Sequence, residues 1–408
     1  MGLIKKVWAE VINDSRGDPT IQVSVQDDKG KIGVAAVPSG ASKSNYEAAV
    51  VEPLKAQVNI ESEIAPRILG RDPTDQSGLD DLLIKLDGTP DKQRLGGNTI
   101  LGVSLSVARL AANQQKLPLY HWIGQLANRS DYFLPIPMFN LINGGMHAEN
   151  NLDFQEFMIV PDLVRGYHNQ LSAGSLIFNT LGDLLRGSAT YLPTGDEGGY
   201  APNMDTNEIA FGELVKAIRD SGYQPWDEVS LALDAAATGL PATFELTVKR
   251  YLGLFRDFPI LSLEDPFNED DWEKWIALKS EMDELNSGFK KLMLVGDDLF
   301  ATNLTRLKEG ITRHAANAIL IKLNQIGTIS ETISVAELAK DVGMIQIVSH
   351  RSGETLDDFI ADFAVGIGAQ FIKTGAPNEH HPERMAKYRR LLKIEQDLSG
   401  VTSNLQLR

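Results

Sequence analysis

Six short apolar runs in the second half of the chain each end on an ionisable residue, and this pattern constrains the fold more than any other. The terminal residues are 23 to 33 positions apart, about the length of one strand-plus-helix unit. Continuous apolar runs of this kind are typical of strands buried on both faces, as in a parallel sheet. The six terminal residues are Asp234, Glu264, Asp297, Lys322, His350 and Lys373.

The direction of such strands places these side chains together. In a βα-barrel, the carboxyl ends of the parallel strands meet on one face, where the active site is built. We therefore expect the six ionisable residues to share one pocket. Three buried carboxylates would resist ionisation without a cation, so the pocket should bind a divalent metal ion and an anionic ligand.

The length of 408 residues suggests two domains, one of them large enough for a barrel. Strand-like stretches at 6–12, 20–25 and 32–37, followed by helical patterns that are clearest at 98–113, predict an α+β capping domain over residues 1–125. A linker is expected at 134–137. The fold class is thus α/β, with a βα-barrel catalytic domain over residues 135–408 that ends in an amphipathic helix at 382–398.

Composition excludes several classes of function. The net charge of −16 disfavours binding to nucleic acid or to an anionic membrane surface. The absence of cysteine excludes disulfides and thiolate chemistry. The amino terminus predicts no signal peptide, and no apolar run approaches the roughly 20 residues that span a bilayer. These features favour a cytoplasmic enzyme.

Nine short strings, in order and at their spacings, carry a family resemblance over almost the whole chain. Together they resemble the enolases, the phosphopyruvate hydratases of glycolysis. The strings are Pro38-Ser-Gly-Ala-Ser42, Asn143-Gly-Gly-Met-His-Ala148, Gln155-Glu-Phe-Met158, Gly195-Asp-Glu-Gly-Gly199, Ser262-Leu-Glu-Asp-Pro266, Asp297-Asp-Leu299, Lys322-Leu-Asn-Gln-Ile-Gly-Thr328, Ser349-His-Arg-Ser-Gly-Glu-Thr355 and Lys373-Thr-Gly-Ala-Pro377.

The resemblance implies two Mg²⁺ ions in each active site. Asp234, Glu264 and Asp297 match the ligands of the first ion, and Ser39 matches the mobile-loop serine that completes the second site. Asp298 competes with its neighbour for the third place on the first ion. The family match and the strand alternation favour Asp297, with Asp298 pointing the other way.

The resemblance also implies roles for the groups that move protons. Lys322 matches the general base, which can act only when neutral, and Lys373 matches the lysine that helps to hold the substrate carboxylate. Glu197 matches the general acid and Glu156 the carboxylate that supports it, and such a pair should keep one proton near neutrality. Substrate-binding positions are matched by His147, Gln155, His350, Arg351 and Ser352. Of these, Arg351 and Ser352 match phosphate-binding positions, because a guanidinium and a hydroxyl suit phosphoryl oxygens.

The implied reaction is the dehydration of 2-phosphoglycerate, a small phosphorylated three-carbon acid, to phosphoenolpyruvate. The resemblance also suggests a homodimer or a higher homo-oligomer. The chain departs from the family pattern after Ser42, in a missing insertion after Asp234, at Asn378–Arg384, and in a shorter carboxyl tail. Two alternatives therefore stay open: a specialised relative such as a carboxyphosphonoenolpyruvate synthase of phosphonate biosynthesis, and a non-catalytic binding protein.

Overall fold

A computed structural model describes residues 1–41, 44–187, 192–240, 244, 246–285 and 290–405 of the chain. Parts of two departures from the family pattern, at 42–43 and at 241–243, lie outside the described residues. Within the described residues, a three-stranded sheet with helices precedes a closed barrel of eight strands. The predicted α/β class, with a barrel and a smaller α+β part, is confirmed. No helix in the described part is long and apolar enough to cross a bilayer.

The first part is an antiparallel meander covered by helices. The longest helix of this first part, α4 (Gly97–Gln115), packs on the sheet, where Ser106 Oγ donates to Val23 O at 2.8 Å. Gly33 permits this approach, because a Cβ there would lie 2.0 Å from Ser106 O. The elements are β1 (Ile4–Asn13), β2 (Pro19–Asp27), β3 (Ile32–Ala36), α1 (Pro53–Asn59), a π-helical turn (Ile60–Ile64), α2 (Ala65–Ile68), α3 (Gln76–Asp87), α4 (Gly97–Gln115) and α5 (Leu119–Leu126).

The second part is the barrel, closed in the order β4 to β11. Its strands are β4 (Ile136–Asn143), β5 (Glu156–Val160), β6 (Ser230–Asp234), β7 (Ile260–Glu264), β8 (Met293–Gly296), β9 (Ala318–Ile321), β10 (Ile345–Ser349) and β11 (Phe371–Lys373). The α-helices are α6 (Tyr167–Arg186), α7 (Asn207–Asp220), α8 (Val248–Asp257), α9 (Trp272–Leu285), α10 (Leu304–Arg313), α11 (Leu323–Ile326), α12 (Ile329–Asp341), α13 (Phe359–Ile367) and α14 (Pro382–Leu405). Two 3₁₀ turns occupy Gly145–His147 and Ala237–Gly239.

The six apolar runs are confirmed as strands β6 to β11, which pair in parallel. Each strand ends on its predicted ionisable residue or one residue before it. The expected linker is wrong in part, because Ile136 and Pro137 already belong to β4. A proline is tolerated close to the start of a strand, where its missing N–H is least needed.

One barrel strand, β5, runs against its neighbours. It pairs antiparallel with both β4 and β6, and its first residue, Glu156, lies opposite Asp234. Because β5 is reversed, its amino end lies at the same rim as the carboxyl ends of the other strands. This reversal brings Glu156 to the face where the ionisable residues gather.

The first part lies over that same face of the barrel. Ser39 and Gly353 exchange backbone hydrogen bonds of 2.7 and 2.8 Å. Asp80 of α3 accepts from the backbone N–H of Ser330 at 3.0 Å, and Arg109 Nη2 donates to Asp357 Oδ1 at 2.8 Å. The loop after β3 is thereby held at the mouth of the barrel.

Candidate active site

Three acidic residues stand at the ends of consecutive strands and are almost fully buried. Asp234 and Glu264 are the last residues of β6 and β7, and Asp297 directly follows β8. Their exposed fractions are 3%, 1% and 7%. Burial favours the neutral form of a carboxyl group, so their ionisation depends on the cations around them.

Lys373, at the end of β11, lies among the carboxylates of this rim. Its Nζ lies 2.8 Å from both oxygens of Glu264, 3.1 Å from Glu156 Oε2 and 3.3 Å from Asp234 Oδ2. Burial alone would lower the pKa of Lys373, but the carboxylates of Glu156 and Glu264 raise it well above its usual range. Lys373 is therefore a cation that balances the acidic rim.

Lys322 follows β9 and contacts the other side of the acidic cluster. Its ammonium donates to Asp297 Oδ2, and Gln325 Nε2 donates to Asp297 Oδ1 at 2.9 Å. Burial alone would lower the pKa of Lys322, but the Asp297 carboxylate raises it. The neutral amine that a general base requires therefore needs the charge of Asp297 to be balanced by another cation.

Asp265, directly after β7, binds the backbone of the turn after β8 that carries Asp297 and Asp298. Its two carboxylate oxygens accept from the N–H groups of Asp297 and Asp298, at 3.0 and 2.7 Å. Ligand atoms of these three residues lie within 4.8 Å of one another. The expectation that Asp298 points away is wrong, since it lines the same cavity. Strand β8 ends at Gly296, so strand alternation does not extend to this turn.

Glu197 and Glu156 form the opposite wall of the site. His147 lies between them, with its Nδ1 3.6 Å from Glu197 Oε1 and 3.9 Å from Glu156 Oε1. Glu197 also accepts from Asn140 Nδ2 at 2.9 Å, and His350 Nε2 lies 3.2 Å from Glu197 Oε1. The turn at Gly195–Gly199 that carries Glu197 thus presents both carboxylate oxygens to polar partners.

The two carboxyl groups have opposite pKa shifts. Burial, and then the neighbouring Glu197 charge, raise the pKa of Glu156 well above its usual range. Burial would also raise the pKa of Glu197, but His350 and His147 hold it well below that range. One proton on the pair is therefore favoured.

The residues matched to phosphate binding are held by the loop that follows β3. Arg351 Nη1 and Nη2 donate to the two oxygens of Glu47 at 3.0 and 3.2 Å, and Nη1 also donates to Asn324 Oδ1 at 3.0 Å. Ser352 Oγ accepts from Ala41 N at 2.7 Å. A phosphate that binds to Arg351 would therefore share it with, or displace, the Glu47 carboxylate.

Among the hydrogen bonds of the described residues, Ser39 has none to Asp234, Glu264 or Asp297. Its hydroxyl donates to Asp14 Oδ2 and accepts from Arg16 Nη2 at 3.1 Å. A Cβ added to Gly353 would lie 2.3 Å from Ser39 Oγ, so the loop and the barrel are in close contact there. Service as a metal ligand would require this hydroxyl to leave its present partners.

A cavity of about 250 Å³ opens beside the acidic cluster. Three of the matched residues, Gln155, Asp234 and Asp297, line it. The rest of its lining includes Asp153, Asp265 and Asp298 together with the apolar side chains of Met146, Leu152 and Leu240. The described part of this lining contains the short turn Ala237–Gly239, where the resemblance leads us to expect an insertion.

Sequence reasoning missed several residues that hold this site together. Hydrogen bonds to catalytic or acidic residues are made by Asn140, Asp265 and Gln325. The phosphate-binding segment is contacted by Glu47 and Arg384. Of these five residues, only Asp265 and Gln325 belong to the nine strings that carry the family resemblance. The partners of all five residues in these contacts lie 28 to 304 positions away in the chain, so no local pattern could have paired them. A buried polar residue needs partners, but the sequence does not say which ones.

The geometry agrees with comparisons against known families. Residues 4–123 match the family model described as "Enolase, N-terminal domain". Residues 131–404 match the model described as "Enolase, C-terminal TIM barrel domain". These two matches cover nearly the whole chain, and the chain therefore belongs to the enolase family.

Proposed function

We propose that the protein is a Mg²⁺-dependent hydro-lyase that converts 2-phosphoglycerate to phosphoenolpyruvate and water. The observation that carries the proposal is the pairing of two walls around one acidic cluster. Lys322 contacts Asp297 on one wall, Glu156 and Glu197 flank His147 on the other, and Lys373 lies between the walls, 3.1 Å from Glu156 Oε2. Removal of a proton and of a hydroxyl from adjacent carbons needs a base and an acid arranged in this way.

The donor set fits Mg²⁺, which prefers oxygen ligands. Asp234, Glu264 and Asp297 would hold the first ion, and Ser39 would complete a second site after its loop moves. Lys373 supports this assignment, because a cation already lies 2.8 Å from both Glu264 oxygens. Bound Mg²⁺ would stabilise the charge that develops on the substrate carboxylate and would balance the Asp297 charge that raises the pKa of Lys322.

In this proposal Lys322 takes the C2 proton and the carboxyl pair assists departure of the hydroxyl. The opposite shifts favour one proton on the pair, and Glu197 needs that proton to act as the acid. His147, which contacts both carboxyl groups, is placed to connect them. His350, Arg351, Ser352 and Gln155 would bind the substrate.

A specialised phosphonate-pathway relative is the second candidate. The observation that favours it is the cavity wall formed by Met146, Leu152 and Leu240, beside the turn that replaces the expected insertion. A substrate larger than 2-phosphoglycerate would extend toward this wall. The non-catalytic alternative is disfavoured, because such a protein would gain nothing from burying this charge cluster.

The deciding experiment is an ultraviolet absorbance assay of phosphoenolpyruvate formation from 2-phosphoglycerate, with Mg²⁺ and then with a chelator. Turnover that Mg²⁺ restores after chelation supports the enolase reaction. Bound Mg²⁺ without turnover would instead favour the phosphonate-pathway relative. From the resemblance we also propose a cytoplasmic homodimer or higher homo-oligomer, with residues 1–125 as the capping domain and 135–408 as the catalytic domain.

A further inference from the structure

Arg384, near the start of α14, carries a fully buried positive charge beside the catalytic wall. Its guanidinium donates to three backbone carbonyls: Arg351 O at 2.6 Å, Asp196 O at 3.0 Å, and Ser352 O. The nearest carboxylate oxygen that accompanies it, Glu383 Oε1, lies 3.4 Å from Nε. Moving a cation out of water costs free energy, so the burial of the Arg384 guanidinium needs an explanation beyond packing.

The fourth contact of Arg384 determines the chemistry of a histidine. Arg384 Nη1 lies 2.7 Å from His350 Nδ1. A guanidinium has five N–H donors and no acceptor, so the histidine nitrogen must accept and cannot carry a proton. Burial lowers the pKa of His350 to about 4, and the ring is therefore neutral at pH 7. Its single proton must then lie on Nε2.

That second nitrogen faces the candidate acid. His350 Nε2 lies 3.2 Å from Glu197 Oε1, and Asn140 Nδ2 donates to Glu197 Oε2 at 2.9 Å. With the proton on Nε2, the ring N–H lies on the side of Glu197 Oε1 as a close electrostatic contact rather than a well-aligned hydrogen bond, while Asn140 donates to the other oxygen. In the opposite tautomer, a lone pair of the ring would face the carboxylate oxygen and repel it.

We propose that Arg384 is a positioning residue that fixes His350 as its Nε2–H tautomer and thereby turns a ring N–H toward Glu197. The inference rests on the proposed function for the role of Glu197, but the tautomer itself does not depend on that function.

The remaining charges near His350 do not account for this arrangement. Glu354 is the other charged group beside the ring, and Lys387 Nζ donates to its Oε2 at 2.7 Å. Lys387 is 1% exposed and lies on α14 one turn after Arg384. Among the hydrogen bonds of the described residues, Lys387 makes none to His350. Replacement of Lys387 therefore serves as a matched control for the loss of a buried cation.

The first test uses the unmodified protein without substrate. Histidine ¹⁵N nuclear magnetic resonance distinguishes a protonated ring nitrogen from an unprotonated one, and the chain has seven histidines to resolve. A spectrum of His350→Gln assigns the signal. We expect His350 to show an unprotonated Nδ1 and a protonated Nε2 at pH 7. A protonated Nδ1 would overturn the proposal, whatever the enzyme does with 2-phosphoglycerate.

The second test compares Arg384→Met, Arg384→Lys and Lys387→Met. Arg384→Met should give a mixture of tautomers, while Arg384→Lys, which keeps a donor, and Lys387→Met should keep the single one. Arg384→Met should also lower phosphoenolpyruvate formation by ~10- to 100-fold, the scale on which removal of a partner that orients a functional histidine costs activity in metal sites.

The same variant should still exchange the C2 hydrogen of 2-phosphoglycerate with heavy water, because Lys322 stands on the other wall. Equal losses of exchange and of product formation would indicate general disruption and overturn the proposal. If Arg384→Met does not fold, the wild-type spectrum and the Arg384→Lys spectrum still decide the question. If the wild type binds Mg²⁺ but does not turn over 2-phosphoglycerate, the proposed function fails while the tautomer is tested separately.

Discussion

Replacement of Lys373 by methionine should destabilise the protein in a manner that depends on pH and on Mg²⁺. The substitution keeps an unbranched apolar side chain but removes an ammonium that is 1% exposed. Its Nζ lies 2.8 to 3.3 Å from carboxylate oxygens of Glu264, Glu156 and Asp234. Without it, the acidic rim loses the cation that now balances it.

The magnitude follows from these distances. At 2.8 to 3.3 Å and an effective dielectric constant of about 20, Coulomb's law gives about 5 to 6 kcal/mol for each ionised partner. The cost of desolvating the ammonium offsets much of this, and removal of one partner of a buried pair usually costs about 3–5 kcal/mol. We expect a loss in this range from the free energy of unfolding at pH 8.

The pH dependence has a defined sign. Burial and the nearby Asp234 raise the pKa of Glu264 well above its usual value, and burial and Glu197 do the same for Glu156. A carboxyl group with a raised pKa in the folded state contributes stability at low pH, which is lost as pH rises through that pKa. Because removal of Lys373 raises both values further, the deficit of the variant should be smaller at pH 5 than at pH 8.

The assay is urea unfolding at both pH values, with and without Mg²⁺. Saturating Mg²⁺ should recover about 2.7 kcal/mol at a concentration 100 times the dissociation constant, provided that the variant still binds the ion. Lys387→Met serves as the control, because it removes a buried ammonium from Glu354, away from the rim. An equal deficit at pH 5 and pH 8, or the same pH dependence of the deficit in both variants, would refute the reasoning.

Three further predictions concern catalysis and ligand binding. In heavy water, Glu197→Gln should exchange the C2 hydrogen of 2-phosphoglycerate while forming little product. Lys322→Ala should lose both exchange and product formation by roughly 10²-fold or more. Exchange that survives only in Lys322→Ala would reverse the two roles. In calorimetric titrations, Asp297→Asn should weaken Mg²⁺ binding at least ~10-fold. Asp298→Asn should weaken it less, and the opposite order would make Asp298 the ligand. Glu47→Gln should tighten the binding of inorganic phosphate, because the Glu47 carboxylate neutralises the Arg351 guanidinium that would bind it. Weaker binding would mean that the contact between Glu47 and Arg351 assists binding of the anion.

The strands that end in functional residues could be predicted because their environment leaves a mark on the sequence. Strands buried on both faces are continuous apolar runs, and β6 to β11 follow this rule. The direction of β5 left no such mark, since an apolar strand has the same composition in either direction. Its reversal, which brings Glu156 to the rim, became visible only in the pairing with β4 and β6.

The side-chain partners of the site were harder to predict for a related reason. The sequence and its resemblance named Arg351 as a phosphate ligand, but not Glu47, which lies 304 positions away and engages its guanidinium. Asp298 was misplaced because an argument from strand alternation was applied beyond Gly296, the last residue of the strand. Periodic patterns describe regular elements, whereas these contacts are made in turns and loops.

The location of the catalytic proton depends on charges from several distant elements. Glu156 lies near Lys373, yet burial and the Glu197 charge still raise its pKa well above the usual range. Glu197 is as deeply buried, but His350 and Asn140 present their polar nitrogens to its two oxygens. Two carboxyl groups of the same chemistry thus have opposite pKa shifts because their neighbours differ. If Arg384 of α14 holds His350 in one tautomer, the ring N–H that faces Glu197 is fixed by a helix outside the turn that carries this carboxyl group.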